Sequence, residues 1–298
     1  MRLRDLWTVP KETFDAFMTD KAMQLGAAIS FYALLSLAPL LLLLVAIAGL
    51  VYGGRQISDE LVRQMQTMVG PHGAEVTQTI LENAGQQSHG GLALLVSIVS
   101  LVLGATGVFV QLQTALNQVW KVEKKPGLGI WGIIGDRLRS LGLVLFIGIL
   151  LLGLVITDAV LATVASRMSA VLPIPGALLY GINVLVSVTM LTVLFAVIFK
   201  MLPDVEIQWR DVWVGAAATG ILFTVGKLLL GLYFGFSAVG SAYGAAGSLI
   251  VVVVWVYYSS LIFLLGAEFT QIYAHRTGTQ IQPSQYAIPT NGGRLAGA

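Results

Sequence analysis

The sequence has no cysteine and only three histidines, His72, His89 and His275. Disulfides and thiolate metal sites are therefore excluded. Charge is scarce as well: 11% of residues are charged, against about 25% in an ordinary soluble domain. So few charges cannot cover a water-facing surface, and lipid must do part of that job. The net charge of +2 does not suggest a nucleic-acid partner. Also missing are H-E-x-x-H, G-x-S-x-G, a Walker A loop and paired carboxylates on one helix face. Hydrolysis or nuclease chemistry needs converging acids, bases or metal ligands, so a membrane nuclease is the least favoured reading. No catalytic residue, metal ligand or cofactor-binding residue is expected. Residues 1–21 lack the short basic region and apolar core of a cleaved signal peptide, and the first span is expected to act as its own insertion signal.

What the sequence does have is apolar length. Hydrophobic residues make up 56% of the chain. A bilayer core about 30 Å thick needs roughly 20 apolar residues to cross. Six stretches qualify, near 28–52, 92–116, 141–164, 174–201, 212–234 and 245–269. Pro39 removes a backbone donor in the first and is expected to bend it. The expected fold is an all-α integral membrane protein: a bundle of six transmembrane helices, with a helical outer segment between the first two spans. Residues 1–275 form the membrane domain. The tail 276–298, rich in Gly, Pro, Gln, Asn and Thr, is expected to be disordered and cytoplasmic.

Lysine and arginine set the orientation. With the N-terminus inside, thirteen of the 17 fall in inside segments, and only Arg55, Arg63 and Arg167 fall outside; Lys227 lies within a span. The expected location is the bacterial cytoplasmic (inner) membrane, multi-pass, with both termini cytoplasmic. Trp120, Trp131, Trp209 and Trp213 fall near inner ends of spans, where interface aromatics sit. Lys121, Lys124 and Lys125 in the inside loop are explained by topology control and headgroup contact.

The outer segment 53–91 reads as one or two amphipathic helices. Leu61, Met65, Met68 and Val69 recur at helical spacing, and Val76, Ile80 and Leu81 follow the Gly70-Pro71 break. The blander reading is a hairpin resting on the bundle or the membrane surface. The sharper one is a cap that docks an envelope protein partner.

Charges inside a membrane are costly and mark function by default. Asp158 and Lys227 lie at similar depth in spans three and five, and an interhelical ion pair would lock those helices. Glu268 lies at the inner end of span six. Polar residues share helix faces at Tyr32 and Ser36, at Gln111, Thr114 and Asn117, and at Asn183 and Ser187. Such groups bond between helices or line a hydrated path. Glycine is dense between spans five and six. Gly231 and Gly235 suit close packing, while Gly240, Gly244 and Gly247 are candidates for a flexible element.

Several local patterns together resemble the YihY / BrkB family of bacterial inner-membrane proteins. They are AAISFYALLSLAPLLLLL (27–44), ALNQVWKVEKK (115–125), Leu202-Pro203-Asp204 with Trp209-Arg210, and Tyr243-Gly244-Ala245-Ala246-Gly247-Ser248 with Trp255, Ser259, Ser260 and Gly266-Ala267-Glu268. They occur in order over roughly 20–275. The low charge of the loop after span five departs from the pattern. The resemblance implies six spans and cytoplasmic termini. Its virulence-factor name implies an envelope role, and the ribonuclease BN name of some members is at odds with the missing catalytic groups. The expected function is an envelope membrane protein that moves, or helps to move, a lipid or amphipathic solute. Tyr32, Ser36, Gln111, Asn117, Asp158, Lys227 and Glu268 are the candidate path residues, and membrane lipid is the expected partner. The alternative is a non-transporting scaffold that docks an envelope partner through 53–91.

Overall fold

The computed structural model describes residues 3–52, 54–87, 107–125, 142, 176–236, 247–277 and 281–290. Among these, helices dominate. In chain order they are α1 (Leu3–Thr19), α2 (Ala22–Tyr52), α3 (Gly54–Val69), α4 (Pro71–Gln87), α5 (107–119), α6 (Gly176–Met201), α7 (Trp209–Phe236) and α8 (Gly247–Arg276). Three are long and apolar enough to cross a membrane: Val184–Met201 in α6, Trp209–Phe234 in α7, and α8. A shorter apolar stretch, Ala22–Leu37, lies in α2, which is 31 residues long and runs on past position 39 without a break. The expected third span and the first part of the second lie outside the described residues.

The chain packs as two compact units. One comprises Met1–Asp20, Gln113–Thr224 and Phe263–Ala298, and the other Lys21–Leu112 and Val225–Ile262.

In the second unit, α3 and α4 form the helical segment expected from the amphipathic pattern. Gly70 takes a left-handed turn at φ 93°, which costs glycine little, and Pro71 then opens α4 at a position that needs no N–H. Part of the apolar face of this hairpin is covered. Val69 packs with Val251 and Val252, with Met65, Val76, Leu37 and Trp255 around them.

The first unit begins with α1, which the mixed polar start of the chain does not advertise. Val9, Thr13 and Phe17 are buried four residues apart, while Phe14 and Met18 on the other face are exposed. An aromatic group, Phe195 and Phe199 of α6, Phe223 of α7 and Phe263 of α8, packs with ring centres 5.3–6.2 Å apart. Beside it, α7 and α8 interlock through two Gly-x-x-x-Thr pairs. A Cβ on Gly215 would lie 1.8 Å from Thr270 Oγ1, and one on Gly266 would lie 2.0 Å from Thr219 Oγ1. Each threonine hydroxyl donates back to the glycine carbonyl four residues earlier, Thr219 to Gly215 and Thr270 to Gly266. The polar group is thus satisfied within its helix, and its bulk fills the space the opposing glycine leaves, as close packing in membranes requires.

The chain is mostly helical, with two short ribbons that order part of the tail expected to be disordered. Residues 122–124 (β1) pair antiparallel with Ala287–Pro289 (β4), and Val205–Glu206 (β2) pair with Gln282–Pro283 (β3). Residues 281–290 are therefore an ordered strap. Its composition would not build a core alone, but two loops offer it free backbone groups. Lys125 N–H donates to Tyr286 O, Thr290 N–H to Lys121 O and Ser284 N–H to Asp204 O, each at 2.9 Å. Within the strap, Ile281 and Ala287 are buried.

Candidate functional site

Buried charge in the first unit collects where α1 turns into α2, α5 ends and α8 passes. Asp20 occupies the turn after α1 and is 6% exposed. Its carboxylate accepts both contacts of the Lys121 ammonium, and its carbonyl accepts from Gln118 Nε2 at 2.8 Å. Lys121 follows α5 in a left-handed conformation, φ 56°. That aims its side chain back across the helix end. Glu268 of α8 is fully buried. The charged groups facing it are Asp20 and Lys121. Among the described residues no donor reaches either of its carboxylate oxygens. The Gly266–Thr219 and Gly215–Thr270 contacts lie on either side of Glu268 along α8 and fix its position.

A second buried carboxylate is held differently. Asp204, 4% exposed, follows α6 in a tight turn. Gln113 and Asn117, one helical turn apart on α5, donate to its Oδ2 at 3.2 and 2.8 Å. Asp204 N–H returns a bond to Asn117 Oδ1 at 2.8 Å. Asn117 thus uses both ends of its amide on one residue, so the pair locks the α6–β2 turn to α5.

Next to this turn lies an open cavity of about 750 Å³. Its walls include Lys200, Met201, Pro203, Glu206, Trp209 and Tyr286. The Lys200 ammonium lies 5.9 Å from the Trp209 ring centre and donates to Ile207 O at 2.5 Å. The Ser284 hydroxyl, also in the wall, has no hydrogen-bond partner among the described residues. The lining is amphipathic: a cation, a carboxylate and hydroxyls beside methionine, proline and tryptophan. Among the described residues no three His, Asp or Glu side chains gather as a metal-binding set.

A family model described as virulence factor BrkB matches residues 13–288. The chain belongs to the BrkB family. Similar curated proteins include UPF0761 membrane proteins of Pseudomonas aeruginosa (strain LESB58), 25% identical over 84% of this chain and 59% of the relative; of Ralstonia nicotianae, 26% over 83% and 54%; and of Rhodospirillum centenum, 26% over 90% and 58%. The chain therefore spans about three fifths of the length of the curated relatives it matches. No solved structure matches. With the apolar helices, these relatives make the BrkB-family chain a membrane protein.

The residues singled out from sequence are distributed unevenly in this BrkB-family fold. Glu268 and Asn117 lie in the first unit's buried polar groups, Asn117 through Asp204 and Glu268 beside Asp20. Tyr32 and Ser36 belong to the other unit. Tyr32 is partly exposed and packs against Gly107, and Ser36 donates to Ala33 O of its own helix at 2.9 Å. Gln111 and Lys227 are half-buried, and Thr114 is exposed. Asp158, Gly240 and Gly244 lie outside the described residues; Gly247 is buried at the start of α8. Three assignments change. Trp120 is 1% exposed, so it is a core residue and not an interface anchor, because the end of α5 is covered by protein. Lys121 and Lys125, read as headgroup contacts, have protein partners, Asp20 and Gln285 O. Asp20 and Gln113 were not signalled at all: each reads as an isolated polar residue until a partner about a hundred positions away is brought to it.

Proposed function

We propose that this chain is an inner-membrane envelope protein with six spans and cytoplasmic termini, and that it moves, or helps to move, a lipid or amphipathic solute. The amphipathic cavity beneath Lys200 and Trp209 carries this reading. By the charge rule that end of α6 and α7 faces the cytoplasm, at headgroup depth. Lys200 near the Trp209 ring, with Glu206 also in the wall, suits a zwitterionic headgroup, and the Met201–Pro203 wall suits the start of an acyl chain. The scaffold alternative calls for an exposed apolar patch on the outer segment. Instead Leu61 and Val69 are buried and Met65 and Val76 pack on the bundle, which favours the first reading.

The test uses proteoliposomes carrying fluorophore-headgroup phospholipid or lysophospholipid. Externally added dithionite should bleach a larger fraction than in protein-free vesicles. That excess should fall in the Lys200→Ala/Trp209→Ala variant. Equal bleaching with and without protein, for every lipid class tried, would end the lipid reading.

A further inference from the structure

We propose that Glu268 holds one exchangeable proton beside the buried Asp20–Lys121 ion pair. Three observations carry this. First, among the described residues the cluster holds two carboxylates and one ammonium, so with all three ionised these have a net charge of −1. A net charge buried in protein costs several kcal/mol. Second, Glu268 is fully buried and no donor reaches its oxygens among the described residues. It is a carboxylate built without the hydrogen bonds that normally keep one ionised. Third, Lys121 is committed to both oxygens of Asp20. A metal cation entering the cluster would have to displace it, whereas a proton needs no coordination shell. The proton then sits on Glu268, the carboxyl left without a partner among the described residues.

The groups that face Glu268 from the packed elements are Asp20 and Lys121. Asp211, on the neighbouring α7, accepts instead from Thr277. Taking up the proton makes the cluster neutral, and releasing it to water restores the negative charge and a second claim on Lys121. The cluster thus offers a way for proton movement to bias the junction of α1, α5 and α8. This holds whether or not lipid is the cargo.

Infrared difference spectra of the full chain in lipid nanodiscs, taken between neutral and alkaline pH, test the proposal. A protonated-carboxyl C=O band that shifts in heavy water should be present at neutral pH and disappear on alkaline titration, with release of about one proton per chain. Glu268→Gln keeps the shape and removes the acid, and it should abolish that component. Asp20→Asn leaves Lys121 to Glu268, so the component should vanish at neutral pH although Glu268 remains. A component that survives either substitution would overturn the proposal. So would its loss on adding sodium at constant pH, which would make a metal cation the ligand.

Discussion

Lys121 has left-handed backbone geometry, which costs an L-residue about 1–2 kcal/mol and which glycine would take more cheaply. The cost is offset by what the side chain reaches, a buried carboxylate that would otherwise be unpaired. The glycines of the α7–α8 interlock carry the opposite constraint, since there any side chain is excluded. Gly266→Ala should lower thermal stability in detergent by about 1–3 kcal/mol, the usual cost of overpacking. Adding Thr219→Gly should recover much of it, because the clash is with Thr219. A Gly266→Ala protein as stable as the parent would show that the helices part without cost. A second residue-scale expectation concerns Asp158 and Lys227. On the six-span reading of the sequence, their expected depths along spans three and five differ by about 3 Å, at 1.5 Å per helical residue. If they pair, Asp158→Asn and Lys227→Met each lower stability and the double variant regains much of the loss. Strictly additive losses in a double-mutant cycle would exclude the pair.

At the scale of elements, what could be read from the sequence was whatever repeats locally. The α3–α4 hairpin, its Gly70-Pro71 break and the long apolar helices follow from spacing and composition within one or two dozen residues. The buried polar clusters do not. Asp20 and Lys121 are 101 positions apart, and Asn117 and Asp204 are 87 apart, so each partner looks like a solvated polar residue on its own. Glycine density points to 231–247, of which 237–246 lie outside the described residues, while the tightest described glycine contacts are at Gly215 and Gly266, where glycine is paired with a threonine four positions on. The strap was missed because its composition is that of a disordered tail and its order is lent by β1 and β2. Removing 278–298 should therefore loosen those loops. Limited trypsin digestion in detergent should cut after Lys121 and Lys124 markedly faster in the truncated protein. Unchanged cutting would mean that the loops hold their shape without the strap.

For the whole molecule, orientation follows from a simple asymmetry of basic residues, and it is directly checkable. Reporter fusions after residues 60, 170 and 240 should report the periplasmic side, and fusions after 128, 206 and 285 the cytoplasmic side. A consistent inversion would refute the orientation and with it the cytoplasmic placement of the cavity. The strap has a consequence in time as well as in space. It is made after every described helix, yet it clips loops that left the ribosome some 80 and 160 residues earlier, at positions 205–206 and 122–124. During synthesis both loops stand open, and Asp204 has its side-chain clamp before its backbone partner, Ser284, exists. A chain stalled short of residue 281 would therefore display two unpaired strand edges on one face of the membrane, a mark by which a protease could tell an unfinished copy from a finished one.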